Sequence, residues 1–332
     1  VLGAVVVNYN TAALSERCVE SLLAAPLLAR IVVLDNASDP DDRAQLMRFC
    51  ARAGARVSFI ASESNLGFAA ACNRGIAQLL TEPVIQAVLL ANSDAVVEAG
   101  AVRLMAQALD SGASMVGARV MSDPDRTRID SLGIAMYSSL LASNRQSLED
   151  PLLGPTGGLA LYARKLLEDL LASHDHLFDE QFFCYAEDTD LALRALLLGH
   201  RPSYVEAVAA HHRGQASSGG GFNDFVLYHG IRNSIWMLIK GMPASTLLRR
   251  LHLVLALHVG IMVRHSLRGK AGVVWRLYRD ALRGLPAMWR KRRRIKASRR
   301  IAPEALEPYI GRNFYERDYL RRAWRELWRG RT

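Results

Sequence analysis

Several protein classes are excluded by what this sequence has little of. Only four cysteines occur in 332 residues, Cys18, Cys50, Cys72 and Cys184, and none is spaced as in a zinc ribbon or a disulfide framework. Buried thiols in a reducing compartment are the expectation. No apolar run approaches the roughly 20 residues that a spanning helix needs, since the stretch LHLVLALHVGIMV ends after 13, at residues 251–263. The apolar start at residues 2–7 is too short for the core of a secretory signal and runs straight into Asn8-Tyr9-Asn10, so no leader is expected, although the missing initiator Met suggests a few residues in front. Disorder and collagen-like bias are absent as well. Half of the residues are hydrophobic and 22% are charged, enough for one substantial core with an appendage or for two modest domains.

Acidic residues are scarce only in one region. From Lys240 onward there are 24 Lys and Arg against 6 Asp and Glu, a balance of +18, whereas residues 1–239 carry 18 against 26, a balance of −8. A mildly acidic body with a strongly basic tail suits a phosphate-rich partner, either nucleic acid or an anionic membrane.

The first 100 residues alternate short apolar runs with helical patterns. Strands are expected at 4–7, 31–34, 57–60 and 87–90, and helices at 15–23, 44–53 and 69–80. Such alternation implies βαβ units and a mostly parallel sheet, in which ligands bind outside the carboxyl ends of the strands. Polar residues collect at those ends: Asn8 and Asn10, Asp35 and Asn36, Asn92 and Asp94. Residues 110–160 are less regular and suggest shorter strands. Gly154-Pro155-Thr156-Gly157-Gly158 is turn-forming and precedes a helix near Arg164, and beyond Gly221 the pattern stays helical.

Each polar cluster supports a bland reading and a chemical one. Asn92-Ser93-Asp94 is an ordinary turn triplet, but a carboxylate at a strand end can also hold Mg²⁺ or Mn²⁺ against a diphosphate. Asp35-Asn36-Ala37-Ser38 can cap a helix or turn, or Asp35 can accept the imide N–H of a uracil or thymine ring. Glu187-Asp188-Thr189-Asp190 suits a helix N-terminus, yet three acids beside Phe182, Phe183 and Tyr185 exceed what a cap requires, and one could act as general base. His211-His212 is either structural or the source of a metal ligand.

Taken in order, NYN (8–10), LDNAS (34–38), NLGFAAACNRGI (65–76), LLANSDAVV (89–97), GPTGGLALYARK (154–165) and FDEQFFCYAEDTDLALR (178–194) resemble the family 2 glycosyltransferases of GT-A fold. HHRGQASSG (211–219) and YHGIRNSIWML (228–238) are similar to the bacterial rhamnosyltransferase-like branch. The resemblance covers roughly residues 4–240. It implies an α/β fold, a Rossmann-like mixed sheet flanked by helices, as a catalytic domain over 1–240, followed by a basic helical region over 241–332. It further implies an inverting transfer that uses a nucleotide-sugar donor and Mg²⁺ or Mn²⁺, with Asp188 as general base and Glu187 beside it. Asn8, Asn10, Asp35 and Asn36 would lie near the nucleoside. Asn65, Gly67, Phe68 and Asn73 would line the nucleotide and donor sugar, Asn92 and Ser93 would adjoin the diphosphate, and Arg232, of the Arg232-Asn233 pair, would neutralise it. Gly157, Gly158 and Glu187 would face the acceptor. Asp94 would be a metal ligand, with His211 preferred over His212 as the second; Asn92 replaces the first aspartate of the family's DxD motif, which leaves one carboxylate for the cation.

The expected substrates are a dTDP-sugar, L-rhamnose foremost, or a UDP-sugar, and a lipid-linked or saccharide acceptor of cell-surface polysaccharide synthesis. The tail is expected to hold the protein peripherally on the cytoplasmic, inner face of a bacterial membrane; the alternative is a helical subdomain packed on the body. The aromatic and arginine-rich residues 309–328 could support a homo-oligomer. A nucleic-acid-binding protein fits the pI of 9.8, but the acidic body would repel phosphate and the basic residues match no reading motif. A nucleotide-sugar-binding module without transfer activity shares the first half but has no need of Glu187-Asp188.

Overall fold

The computed structural model describes residues 1–214 and 223–316. Four parallel strands open the chain: β1 (Leu2–Asn8), β2 (Leu28–Asp35), β3 (Val57–Ala61) and β4 (Ala87–Asn92). They are joined by helices α1 (Ala12–Leu23), α2 (Pro40–Arg52) and α3 (Gly67–Leu80). β1 lies between β2 and β4, so the chain winds outward to β3 and then returns to the other side of β1. That reversal opens a crevice at the strands' carboxyl ends. Register places the polar termini in one row, with Asn8 opposite Asp35 and Asn92 opposite Val7.

The sheet continues through strands of mixed direction. After β5 (Ala95–Val97) and α4 (Ala99–Asp110) come β6 (Met115–Ser122), β7 (Ile129–Ser131), a small β8–β9 ribbon (Ile134–Met136 and Ala142–Asn144) and β10 (Leu159–Ala163). β10 is antiparallel to both β4 and β6, so its beginning, not its end, lies beside the end of β4. α5 (Arg164–His174) and α6 (Glu187–Leu197) follow, and then β11 (Pro202–His212), parallel to β6 and antiparallel to β5.

Alternation of side chains across the sheet builds two cores. Val5, Val32, Val88 and Leu90 face α3, α5 and α6, while Ala4, Val6, Ile31, Val33 and Leu89 face α1, α2 and α4. Strands covered on both sides need apolar residues throughout, which is why they read as continuous runs.

Among the described residues, four α-helices follow: α7 (Asp224–Gly241), α8 (Ala244–Arg249), α9 (Leu251–His265) and α10 (Ala271–Ser298). The boundary expected at residue 240 falls at the end of α7, but the first core runs across it. Met288, Ile295, Leu306 and Ile310 join the cluster that contains Leu191 and Leu196 of α6. Among the described residues, no helix is long and apolar enough to cross a membrane. All four cysteines are free thiols, three of them buried. Residues 215–219 of the HHRGQASSG motif and 317–328 of the possible oligomer segment lie outside the described residues.

Candidate active site

Asn8 and Asp35 form the inner wall of the crevice, and both are fully buried. The Asn8 amide donates to Asp35 Oδ1 at 3.0 Å, Ser38 Oγ at 3.0 Å and Asp42 Oδ2 at 2.8 Å, while its oxygen accepts from Thr11 and Ser15. Both ends of Asn8 are therefore used inside the protein, orienting Asp35. The other Asp35 oxygen pairs with Arg43 Nε at 2.8 Å. Arg43 also donates to the Ser62 carbonyl, which ties the ends of β2 and β3 together. Asn10, exposed and with φ 54°, accepts from the Asp39 N–H.

Asn36 reaches across to the next loop, donating to Asn65 Oδ1 at 3.0 Å and accepting from Leu66 N at 2.8 Å. Asn65 accepts from Gly67 N as well. Gly67 has φ +78°, and a Cβ there would lie 2.5 Å from the Phe183 ring, so both conformation and space demand glycine. Asn73 turns away from the crevice: it donates to the Phe178 carbonyl and accepts from the Phe178 N–H, both at 2.9 Å, pinning the segment that leads to α6.

At the end of β4 the geometry separates the two histidines. His212 Nε2 lies 3.0 Å from Asp94 Oδ1 and 3.1 Å from Asn92 Nδ2, and His212 Nδ1 lies 2.9 Å from Asp130 Oδ2. His211 points to the opposite face of β11, with its nearest acid Glu98 at 3.6 Å. The expected preference for His211 is corrected on this point: successive strand residues face opposite ways, and His212 is the one aimed at Asp94. Burial lowers the His212 pKa, but Asp130 and Asp94 outweigh it and raise the imidazole to about 10. Asp130, at the middle of β7, had no signal in the sequence. Ser93 accepts from Thr11 Oγ1 at 3.0 Å, joining this corner to the start of α1.

Across from that corner stands the start of α6. Asp188 Oδ2 accepts from Gly157 N at 2.8 Å and Oδ1 from Thr189 N at 2.6 Å. Burial pushes the Asp188 pKa up, and these hydrogen bonds hold it partly back. Glu187 is 6% exposed, and its Oε2 has no hydrogen-bond partner among the described residues. Burial first, and then the neighbouring Asp188, raise its pKa well above the usual carboxylate range. Asp188 thus has hydrogen-bond donors on both carboxylate oxygens, which Glu187 Oε2 lacks.

Gly157 and Gly158 form the floor between the two corners. A Cβ on Gly157 would lie 3.3 Å from Phe68 and 3.6 Å from Asp188 Oδ2. On Gly158 it would lie 3.6 Å from Asn92 Nδ2 and 3.9 Å from His212 Cε1. Gly158 is held there because its carbonyl accepts from Asn92 N at 3.0 Å, a consequence of the antiparallel β4–β10 register.

Arg232 is not brought to this floor with a guanidinium to offer. Its nitrogens donate to Asn233 Oδ1, the Phe182 carbonyl and Tyr228 Oη, and it stacks on Trp236 at 4.3 Å. The expectation that it neutralises a diphosphate is replaced by an internal role, because these acceptors already engage all three nitrogens. Asn233, fully buried, donates to the carbonyls of Phe182, Cys184 and Tyr185 at 2.8–2.9 Å. Those acceptors flank a segment in which Phe183, Tyr185 and Ala186 all have positive φ, between 63° and 69°. The Arg232-Asn233 pair clamps the strained turn that delivers Glu187 and Asp188.

A polar crevice at the sheet reversal, an acid–histidine corner and a separate carboxylate across a glycine floor are thus brought together at the carboxyl ends of the strands. The chain belongs to glycosyl transferase family 2, whose model matches residues 4–171. It is a glycosyltransferase with a GT-A-type mixed, curled sheet flanked by helices. The fold is similar to that of the mannosyltransferase PcManGT from Pyrobaculum calidifontis, solved in complex with GDP-Man and Mn²⁺. That protein is 16% identical, with a TM-score of 0.52 over 90% of this chain and 85% of its own. S. aureus TarS 1–349 is 15% identical, with a TM-score of 0.50 over 86% of this chain and 91% of its own. The same protein in complex with UDP gives 15%, 0.50, 88% and 91%. No curated protein matches the sequence.

Proposed function

We propose that the protein is an inverting glycosyltransferase that moves a hexosyl group, L-rhamnose from dTDP-rhamnose foremost, onto a lipid-linked saccharide acceptor. The observation that carries this reading is the two-residue floor, with Asp188 hydrogen-bonded to Gly157 and the Asn92–His212 corner alongside Gly158. An acceptor hydroxyl on the Asp188 side would attack the anomeric carbon from the face opposite the departing diphosphate. Its proton passes to Asp188 as the new C–O bond forms. The bond to the diphosphate oxygen breaks and its electron pair leaves with the nucleotide. One displacement without an enzyme nucleophile inverts the anomeric centre.

Asp94 and His212 would hold Mg²⁺ or Mn²⁺, the cation taking the place of the proton that Asp94 and Asp130 otherwise stabilise on the imidazole. An oxygen and an imidazole nitrogen 3.0 Å apart suit a cation whose remaining positions are filled by phosphate and water. Among the described residues no cluster of three His, Cys, Asp or Glu is arranged as a protein-only cage. When bound, the cation supplies charge neutralisation at the diphosphate. Asn36 would lie beside the base, held in place by the loop that Asp35 ties through Asn8, Ser38 and Arg43, with Asn65, Gly67 and Phe68 alongside the donor and Gly157 and Gly158 under the acceptor.

Thermal shift and donor hydrolysis with dTDP-, UDP- and GDP-sugars, each with and without Mn²⁺ or Mg²⁺, test the reading. Metal-dependent stabilisation by dTDP-rhamnose above the others is expected. Preference for a UDP-sugar would keep the mechanism and replace the donor. No response to any nucleotide sugar would overturn it.

A further inference from the structure

α9 and α10 form an antiparallel hairpin across a five-residue turn, Ser266–Lys270, and His258 Nδ1 meets Tyr278 Oη at 2.9 Å across the pair. The inner face of α9 is buried through Val254, Leu257, Ile261 and His265. Its outer face is equally apolar and faces outward: Leu251, Leu255, Val259, Met262 and Val263 are all exposed. A helix that is apolar all round normally has both sides covered. At 15 residues α9 is too short to span a bilayer, which takes about 20.

The exposed surface continues through Leu267 into α10 with a different texture. Trp275, Leu282 and Trp289, seven residues apart, are 71%, 66% and 54% exposed. Arg276, Arg283, Arg290 and Arg293 are interleaved with them and are exposed too. Beside Trp289 lies a shallow hollow walled by Ile239, Leu285 and Pro286, with Arg290 and Arg293 at its rim. Tryptophan and arginine alternating along a helix place rings at headgroup depth and guanidinium groups against phosphate.

We infer that the α9–α10 hairpin is a docking surface for an anionic phospholipid bilayer, lying in the interface plane with the outer face of α9 in the acyl boundary. Charge complementarity selects this occupant: the hairpin over residues 251–298 carries 12 Lys and Arg against one Asp, a balance of +11, whereas residues 1–239 carry −8, so an anionic surface attracts the hairpin and repels the body. The inference rests on the proposed lipid-linked acceptor only for its use, since the surface itself is read from the hairpin alone.

The test is flotation of the full chain with phosphatidylcholine vesicles, with vesicles containing phosphatidylglycerol, and with duplex DNA as competitor. At least tenfold greater partition to the anionic vesicles is expected, weakened by salt, together with a blue shift of tryptophan emission. The variant W275A/L282A/W289A removes only exposed side chains and is expected to lower partition at least tenfold while donor hydrolysis without vesicles is unchanged. The variant R283Q/R290Q/R293Q is expected to lose the preference for anionic lipid. No flotation of the wild-type chain, wild-type partition by the apolar variant, or complete displacement by equimolar DNA would each overturn the inference. Because partition is read apart from transfer, absent donor hydrolysis in a protein that still floats would count against the glycosyl-transfer reading alone.

Discussion

Asp188 and His212 show how a side chain's neighbours decide its chemistry. Asp188 is raised in pKa by burial while two backbone N–H groups still stabilise its charge, a combination that makes a better base than an exposed aspartate. Asp188→Asn is expected to bind donor as the wild type does and to lose transfer by about 10²–10⁴-fold; titration calorimetry and steady-state rates check the two halves. The sign of the pH effect follows from the direction of the shift. A carboxylate in the proposed role of base works when ionised, so kcat is expected to rise with pH along a limb lying above the ordinary aspartate range near 3.9, and to fall as pH drops through it. A limb at the ordinary position would remove Asp188 from the role. The histidines give a paired comparison. His212→Ala is expected to weaken Mn²⁺-dependent donor binding by about 10-fold or more, and His211→Ala to leave it within about twofold, because only His212 faces Asp94. Equal effects in calorimetry would contradict that division. The sequence could not separate them: β11 carries register shifts between Val205 and Val208 and between Val208 and Ala210, and a one-residue slip reverses which side chain faces the crevice.

Elements differ in how far local sequence announces them. The βαβ half was legible because strands buried on both faces must be apolar throughout and because helices with one buried face repeat at 3.6 residues. Hence β1 to β4 and α1 to α3 lie where the pattern placed them, within a few residues. Asp130 was not legible, because it sits on a three-residue strand whose only relation to His212 is made by antiparallel pairing with β6. The role that the resemblance implies for Arg232, neutralising the diphosphate, has no support in its surroundings, because its partners are carbonyl and hydroxyl oxygens and rings assembled by the tertiary fold. The turn before α6 shows what the Arg232-Asn233 pair does instead. Three residues with positive φ need over-determination by their surroundings, and Asn233 provides it through three carbonyls. Asn233→Ala is expected to cost about 2 kcal/mol of stability, from buried carbonyls left without donors, and to lower kcat by about tenfold with donor KM little changed. The rate is normalised to the donor-binding fraction titrated by calorimetry, since a purely structural loss would lower active enzyme without altering the rate of each folded molecule, and a normalised kcat equal to the wild type would remove the positioning role.

At the scale of the whole molecule, a buried charge cluster joins the catalytic half to the helices that follow it. Lys240 of α7 bonds Asp179 at 2.7 Å and Asp190 of α6 at 2.8 Å, with all three side chains essentially inaccessible. Arg194 pairs with Asp190 at 2.8 Å, and Lys291 of α10 reaches Asp179 at 2.6 Å. Asp179 thus lies between two cations from different helices, at the start of the segment that ends in Glu187 and Asp188. Burial works against both charged carboxylates, but for Asp179 Lys240 and Lys291 prevail, and for Asp190 Arg194 and Lys240, so both pKa values are lowered. A depressed folded pKa gives stability that is present above the unfolded value near 3.9 and is lost as pH falls through the folded one. Lys240→Met leaves two buried carboxylates short of their shared cation and is expected to cost about 3 kcal/mol near pH 7. Because Arg194 and Lys291 remain, the protein should still fold, and the deficit should shrink in acid as the carboxylates take up protons. Urea melts of the wild type and of Lys240→Met at neutral and at acid pH measure both. A loss under about 1 kcal/mol at neutral pH, or one that grows in acid, would mean that Lys240 does not weld the two halves. The helices beyond residue 240 would then be held by Met288, Ile295, Leu306 and Ile310 packing against α6 and its neighbours.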